Sequence, residues 1–275
     1  EAGLREAVDL DPLRLALAAE NVRVGGVADR VEFRQADVLT LVPGSVSAAF
    51  CDPDRRSGGQ RHLRLRDYQP ALAELQSRWP RDFPLGVKVA PGIPWDELHS
   101  HDAEAEFISV QGELKECVLW FGPLKTTARR ATVLPASVTL FANEPASQAP
   151  VSEPQEFLYD PDPAVTRSGL VSNLAEQLEA RPLDPDIAYL TSAKLMVTPF
   201  AAAYRIEKSL PFHAKRIGEY LRSIRVGHVT ITKRGSAVDV DMLRRQWKLQ
   251  GSETRTVLLT RVGEKPLALI GQRVE

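Results

Sequence analysis

The stretch AVDLDPLRLALAAEN, residues 7–21, decides the fold class of the N-terminal half. It opens as a short apolar strand, which stops at the acidic turn Asp9-Leu10-Asp11. Pro12 favours the first turn of a helix, and leucines and alanines then continue at helical spacing to Asn21. A strand that runs directly into a helix is the repeating unit of a parallel α/β sheet.

The same alternation continues downstream. Apolar segments predict strands at residues 31–33, 46–50 and 85–89, and residues 68–79 predict a helix. Because apolar strands separated by helices are buried on both faces, they predict a parallel, doubly covered sheet. At its end, residues 106–110 and 113–120 flank a Gln111-Gly112 turn and predict a hairpin, and residues 131–140 predict one more strand.

A proline-rich segment separates two predicted domains. Residues 144–155 hold three prolines and small polar residues, so they predict an extended linker between a domain at 1–143 and another at 156–275. In the second domain the pattern predicts helices at 166–180, 212–221 and 240–247 and strands at 187–190, 229–233, 254–260 and 266–271. This order predicts a small α+β domain.

The composition excludes several classes of protein. With 43% hydrophobic and 26% charged residues, the chain is neither wholly disordered nor collagen-like. No apolar run approaches the ~20 residues that span a bilayer, no secretory leader is visible, and the two cysteines have no metal-ligand spacing. We therefore expect a cytoplasmic protein with reduced cysteines, no membrane partner and no metal.

The charge is strongly segregated along the chain. Residues 144–192 have a net charge of −7, and residues 193–261 have a net charge of +9. A positive region of this size attracts polyanions. A basic face that pairs with the acidic segment, or that only keeps the domain soluble, is an equally good explanation of the charge pattern alone.

Acidic residues follow three successive predicted strands. Asp9, with Asp11 close by, follows the first strand, Asp37 the second and Asp52 the third. In open parallel sheets, ligands bind outside the carboxyl ends of the strands. Carboxylates there accept hydrogen bonds from ribose hydroxyls and from an adenine amine, although Asp before Pro also simply starts a helix or turn. Three acids in succession favour a nucleotide-like ligand.

Further motifs resemble class I S-adenosylmethionine-dependent methyltransferases. They are GVADRVEF (26–33), ADV (36–38), FCDPDRR (50–56), VKVAPG (87–92) and SVQGELKECVLW (109–120). The chain is especially similar to the branch that contains trimethylguanosine synthases and other RNA methyltransferases. Within that branch it resembles a bacterial group with a C-terminal THUMP-like domain, which the motifs TPF (198–200), WKL (247–249) and LTRV (259–262) also fit.

The resemblance implies a Rossmann-like methyltransferase sheet, incomplete at its N-terminus, followed by a small α+β THUMP-like domain. It also implies methyl transfer from S-adenosyl-L-methionine to a base in RNA, with tRNA or rRNA as the partner. Asp9 would hold the cofactor ribose, with Asp11 as the fallback for the same role. Asp37 would accept a hydrogen bond from the adenine amine, and Val38 would pack on the adenine ring.

The resemblance also implies a reaction centre. Asp52, Pro53 and Asp54 stand where relatives that methylate amino groups orient the target nitrogen, but Asp54 replaces a second proline there. Arg55 replaces a stacking aromatic residue, so these motifs leave the amino-group target open. Arg56, Arg61 and Arg55 would contact substrate phosphates, with a solvated charged loop as the alternative. On or beside the helix predicted at 212–221, the residues that would contact RNA are Lys215, Arg216, Arg222 and Arg225.

One family feature has no counterpart in the chain. A glycine-rich turn would precede Asp9 by about twenty residues, and only eight residues precede it. We expect either a fragment, which we favour, or a protein without catalysis, and in both cases little cofactor binding by residues 1–275 alone. The alternatives to an RNA methyltransferase are a non-catalytic RNA-binding or scaffold protein and a small-molecule or protein methyltransferase.

Overall fold

A computed structural model describes residues 5–41, 46–57, 60–61 and 64–274, with the backbone alone for residues 56–57 and 60–61. The chain forms two compact units. Unit 1 contains Glu1–Asp102 and Trp120–Leu124, and unit 2 contains Ala103–Leu119 and Lys125–Glu275. These units do not coincide with the domain bounds 1–143, 144–155 and 156–275, which stay a prediction.

Unit 1 is built on parallel strands, as predicted. Its elements are β1 (Arg5–Asp9), α1 (Pro12–Val24), β2 (Val31–Gln35), β3 (Ala49–Cys51), β4 (Arg56–Ser57), β5 (Gln60–Arg61), α2 (Leu72–Arg78), β6 (Leu85–Val89) and α3 (Trp95–His99). β1 pairs with β2 and β3 pairs with β6, both in parallel. β4 and β5 form a short antiparallel pair. Because the carboxyl ends of paired parallel strands share one edge, each pair gathers the residues that follow its strands.

The first helix differs from the prediction of a sheet covered on both faces. α1 has no buried residue, and Leu13 and Leu17 are 65% and 59% exposed. β1 and β2 form a two-stranded sheet of their own, which has too little area to bury the face of a helix. The predicted parallel pairing of strands is therefore right for this segment, and the prediction that helices bury both faces of the sheet is wrong.

The second helix is shorter than predicted because its first predicted residues have other partners. The Tyr68 hydroxyl is buried and accepts a hydrogen bond from the amide of Ala90, at 2.9 Å. Gln69 pairs through its backbone with Asp54, at 2.9 and 3.0 Å. α2 therefore begins at Leu72, and residues 68–69 instead fix the segments that follow β3 and β6.

Unit 2 begins with the predicted hairpin. β7 (Glu104–Val110) and β8 (Glu113–Phe121) are joined by Gln111 and Gly112, whose φ angles are both positive, at 52° and 78°. The predicted single strand at 131–140 is two strands, β9 (Arg129–Leu134) and β10 (Val138–Ala142). Ser137, with φ 54°, lies in the turn between them. The four strands lie in the order β10-β9-β7-β8.

The rest of unit 2 carries a seven-stranded sheet. Its elements are β11 (Phe157–Pro161), α4 (Pro163–Ser168), α5 (Val171–Gln177), β12 (Arg181–Asp184), β13 (Ile187–Ser192), β14 (Ala201–Pro211), α6 (Ala214–Ser223), β15 (Val226–Lys233), α7 (Val240–Trp247), β16 (Glu253–Val262) and β17 (Lys265–Val274). The strand order is β12-β13-β11-β14-β17-β16-β15. This α+β arrangement and the parallel strands of unit 1 confirm the predicted fold class.

Two hydrophobic clusters lie on opposite faces of this sheet. Successive residues of a strand point to opposite faces, so Val257 and Leu259 of β16 join one cluster and Leu258 joins the other. Trp247 is 1% exposed in the first cluster, and its indole nitrogen donates a hydrogen bond to the carbonyl of Ala214 at 2.8 Å. α6 and α7 therefore pack on one face of the sheet, with Trp247 in the core.

Two further segments refine the sequence predictions. The predicted helix 166–180 is broken after Ser168, because Gly169 adopts φ 73° and ends α4. Residues 144–155 have no helix or strand, as predicted for a linker, but they are attached to unit 2. The amide of Ala146 donates to Asn173 at 3.1 Å, and the amide of Ser152 donates to the carbonyl of Pro182 at 2.9 Å.

The structure also bears on the cysteines and on membrane-spanning segments. Cys117 is fully buried and Cys51 partly buried, and both are free thiols. Burial raises the pKa of the Cys51 thiol to about 11, so it is protonated at neutral pH. None of the helices in the described ranges has the length and apolar character that crossing a bilayer requires.

Candidate functional site

The carboxyl ends of β1 and β2 bring two of the predicted cofactor residues together. Asp9 lies opposite Gln35 in the parallel register, and the amide of Ala36 donates to the Asp9 carbonyl at 3.2 Å. Asp37 follows and accepts a hydrogen bond from the amide of Leu39 through Oδ1, at 2.9 Å. Both carboxylates are only partly buried, so they border a space that a ligand can reach.

Val38, the residue predicted to pack on the adenine ring, follows Asp37 directly. It begins the 3-10 turn Val38–Thr40, which the carboxylate of Asp37 caps, and it is partly buried. The cap fixes the direction in which this apolar side chain leaves the backbone. Its place next to Asp37 agrees with the predicted pairing of an amine acceptor and a ring contact, and the contact itself stays a prediction.

Asp11 serves the protein's own structure. Its Oδ1 accepts the amide of Leu13 at 2.8 Å and so caps α1, and its Oδ2 lies 3.7 Å from Arg14. The amide of Asp11 in turn donates to Asp9 Oδ1 at 2.8 Å. Because both oxygens of Asp11 already have partners, this geometry favours Asp9 over the fallback residue as the ribose acceptor.

Arg14 connects the cofactor edge to the predicted reaction centre. Its guanidinium donates to Asp54 Oδ2 at 3.3 Å, across 40 positions of sequence. The hydrogen bond to Asp54 and the nearby charges of Asp9 and Asp11 raise the pKa of Arg14. Arg14, with a side chain that is 59% exposed, therefore lies near the carboxylates of Asp9, Asp11 and Asp54.

A second ion pair holds the predicted catalytic Asp52. Asp52 follows β3, and its Oδ2 lies 3.0 Å from Nζ of Lys88 on β6. The carboxylate is 53% exposed and the lysine side chain is 27% exposed, so the pair faces solvent on one side. In this position the Lys88 ammonium restrains the orientation of the carboxylate.

The residues after Asp52 are fixed mainly through the backbone. Pro53 is buried, and Asp54 forms an antiparallel bridge with Gln69. Arg55 is partly buried beside them. The side chains of Arg56 and Arg61 lie outside the described residues, so their predicted phosphate contacts stay a prediction.

Sequence reasoning missed the roles of Arg14 and Lys88. Arg14 stands three residues after Asp11, and on a helix this spacing places the two side chains next to each other. Nothing in the sequence indicates its other partner, Asp54. Lys88 breaks an otherwise apolar strand, LGVKV. A lysine inside a buried parallel strand is a usable signal, because it needs a carboxylate partner.

The predicted RNA-contacting residues of unit 2 fall into two groups. Lys215 and Arg216 are exposed on the first turn of α6, which begins after His213. Arg222 and Arg225 lie around the end of the same helix. Nη1 of Arg222 donates to the carbonyl of Trp247 at 2.9 Å, so this guanidinium also supports the fold.

No group of three or more histidine, cysteine or acidic side chains within the described part of the chain could hold a metal ion. His101 is engaged with Gln76, at 3.0 Å from Nδ1 to the amide oxygen. Burial lowers the pKa of His101, although the charge of Glu97 opposes that shift.

Comparison with known proteins identifies relatives of both parts of the chain. The family described as THUMP domain-like matches residues 201–273, which run from β14 to β17. Two curated relatives from Mycobacterium tuberculosis, strains CDC 1551 / Oshkosh and ATCC 25618 / H37Rv, are each named an uncharacterized S-adenosylmethionine-dependent methyltransferase. Each is 36% identical over 264 residues, which cover 94% of this chain and 72% of the relative.

A solved structure shares the fold. It is a crystal structure from Porphyromonas gingivalis W83, whose protein has a provisional assignment as a methyltransferase. The TM-score is 0.77 over 98% of this chain and 72% of the other, at 19% sequence identity. At that identity the likeness concerns the fold.

Proposed function

The chain belongs to the S-adenosylmethionine-dependent methyltransferases with a THUMP-like domain, and we propose that the protein methylates a base in RNA. The THUMP-like match at residues 201–273 carries this proposal, because the match overlaps residues 193–261, the segment of net charge +9. Nucleic-acid-binding proteins have such basic surfaces, since phosphates supply most of their affinity.

The donor set at the ends of β1 and β2 fits S-adenosylmethionine. Asp37 has one oxygen committed to the amide of Leu39, which leaves the other as an acceptor for the adenine amine. Asp9 has one oxygen committed to the amide of Asp11, and its other oxygen is the acceptor for a ribose hydroxyl. When bound, the cofactor supplies an activated methyl group.

Asp52, Pro53 and Asp54 then have the role of positioning the base. Methyl transfer is an in-line displacement, so most of the catalysis comes from holding the nucleophilic atom on the correct line. The ion pair with Lys88 orients the Asp52 carboxylate, which accepts a hydrogen bond from the base. Arg14 donates to Oδ2 of Asp54 and restrains that carboxylate.

The experiment measures transfer of a labelled methyl group from S-adenosylmethionine to total RNA by the protein as encoded by its gene. We expect the label to appear in RNA. It should be lost in the variant that changes Lys215 and Arg216 to Glu, and it should be retained in Lys265→Asn. Lys215 and Arg216 are exposed on α6, and Lys265 is an exposed cation at the start of β17. Charge reversal should weaken RNA binding uniformly across sequences, as the loss of phosphate contacts does.

Other outcomes of the same experiment separate the alternatives. Label in protein or in small molecules, with none in RNA, would indicate a protein or small-molecule methyltransferase. RNA binding without any binding of S-adenosylmethionine would indicate a non-catalytic RNA-binding or scaffold protein. Either result would reject the proposal.

A further inference from the structure

A basic pocket lies at the end of α6. It has a volume of about 480 Å³ and is lined by residues from the α6–β15 turn and from the segment between α7 and β16. Three cations contribute to it, Arg222, Arg225 and Lys248. Gln250 and Ser252 add polar groups, and no acidic side chain belongs to the part of this lining that the structure describes.

Two of the cations have an unusual backbone conformation. Arg225 has φ 58° and Lys248 has φ 44°, both in the left-handed region. For residues other than glycine this conformation costs about 1–3 kcal/mol, and such strain concentrates at functional sites. Both of these cations line the same pocket.

A close approach of two chain segments builds the pocket wall. A Cβ placed on Gly251 would lie 1.7 Å from the carbonyl oxygen of Arg225, and one placed on Gly227 would lie 1.8 Å from the carbonyl oxygen of Gly251. No other residue type fits at either position without movement of the backbone. The amide of Gly251 donates to the carbonyl of Val226 at 3.1 Å, which fixes the two segments together.

The third cation is held in place before any ligand arrives. Arg222 donates to the carbonyl of Trp247 at 2.9 Å, next to the buried core. Glu253, which follows the pocket segment, pairs with Arg255 at 3.3 Å. Arg222 is therefore held beside the pocket before a ligand binds, and preorganisation lowers the cost of binding.

We propose that this pocket binds a phosphate group of the RNA substrate. The proposal rests on the proposed function for RNA as the carrier, whereas the anion chemistry follows from the pocket itself. Guanidinium groups bind phosphate oxygens through paired hydrogen bonds, and an ammonium adds a point charge. The volume lies within the ~300–1,000 Å³ of small-ligand sites, so the phosphate enters with part of its nucleotide.

Two variants remove the charge without adding strain. Asn tolerates the left-handed conformation, so Arg225→Asn and Lys248→Asn should retain the local backbone. Lys265→Asn is the matched control, because Lys265 is exposed and lies outside the pocket lining. Thermal melting of all three variants checks that the chain remains folded.

The probes are a fluorescent single-stranded oligoribonucleotide with and without a 5′-phosphate, together with inorganic phosphate as competitor. Each pocket variant should bind RNA about 10- to 100-fold more weakly, as expected for loss of a charged hydrogen bond. The slope of log affinity against log salt should also fall by about 0.7 for each lost contact. If the protein prefers the oligoribonucleotide with a 5′-phosphate, the pocket binds a terminal phosphate. If it binds both oligoribonucleotides equally and both pocket variants weaken that binding, the pocket binds an internal phosphate.

Wild-type RNA affinity in both folded pocket variants would overturn the inference, even if reversal of Lys215 and Arg216 abolished binding. Failure of the proposed function has a different signature. In that case inorganic phosphate would still bind the pocket, and Arg225→Asn and Lys248→Asn would still abolish that binding. No methyl group would be transferred to RNA.

Discussion

Replacing Asp37 by Asn tests whether the end of β2 recognises an adenine amine. The Asp37 carboxylate has two oxygens, and Oδ1 accepts the amide of Leu39 at 2.9 Å. Asn replaces the second oxygen by an NH2 group, so with its oxygen on the Leu39 amide it presents a donor instead of an acceptor to the adenine amine. Since Asn caps a turn as well as Asp does, the folded state should change little.

The expected cost therefore falls on the cofactor. Loss of one hydrogen bond to a charged acceptor costs about 1–3 kcal/mol, which corresponds to a binding constant about 5- to 150-fold weaker. Isothermal titration of S-adenosylmethionine into the protein as encoded by its gene measures this loss. A thermal melt without ligand shows that Asp37→Asn leaves the fold intact.

Asp52→Ala is the matched comparison at the neighbouring strand pair. It removes an ion pair to Lys88 in which Asp52 is 53% exposed, so the free energy of unfolding should change by less than about 1 kcal/mol. Cofactor binding should stay near the wild-type value, and the rate of methyl transfer should fall, because Asp52 is proposed to orient the base in the transition state.

Two results would refute this reasoning. Unchanged cofactor affinity in Asp37→Asn would remove the adenine contact from β2. Loss of cofactor binding in Asp52→Ala, with normal binding in Asp37→Asn, would show that the strand ends had been assigned in reverse.

Two further predictions concern charged groups buried in unit 2. Glu104 is 1% exposed; burial raises its pKa, but hydrogen bonds from Arg130 and from the Thr126 and Thr127 amides outweigh burial and lower it. Glu104→Gln should reduce the free energy of unfolding by about 1–3 kcal/mol at pH 7, and this deficit should shrink below about pH 4.3, where the wild type itself loses that stabilisation. Arg234 donates to Asp160 at 2.7 Å, and burial raises the pKa of Asp160 despite this cation. Arg234→Met should cost about 1–3 kcal/mol at pH 7, less than a fully buried pair because the two side chains are 29% and 21% exposed. The cost should diminish as the pH falls through the raised pKa of Asp160, because the protonated carboxyl no longer needs a cation. Urea unfolding at pH 7 and at acidic pH measures each change in the free energy of unfolding. A change that is independent of pH would contradict the role given to each carboxylate.

Local signals predicted much of the fold correctly. Asp239 directly precedes the helix predicted at 240–247, and its carboxylate accepts the amides of Asp241 and Met242, at 2.9 and 3.1 Å. Trp247 ends this helix at its apolar spacing, and it is buried in the core. These features were predictable because caps and helix faces depend on residues within one or two turns.

The elements that were missed or misjudged depend on distant partners. β14 (Ala201–Pro211) was not predicted, because Arg205, Glu207 and Lys208 hide any apolar alternation and the register shifts between Ile206 and Lys208. The strand forms because it pairs with both β11 and β17, so its backbone hydrogen bonds are satisfied on both sides. Sequence periodicity reports side-chain burial, and this strand is defined by its backbone pairing.

The two charged sites show the same limit in a sharper form. The acids at the strand ends could be found by counting along the chain, but Arg14 meets Asp54 across 40 residues. The left-handed cations of the pocket give no signal in residue type, since glycine is the usual occupant of that conformation. The feature of the sequence that accompanies these cations is the pair Gly227 and Gly251, whose backbones approach too closely for any side chain. In the proposed phosphate pocket, the close approach of these glycines joins the segments that carry Arg225 and Lys248, and a count of charges does not reveal that.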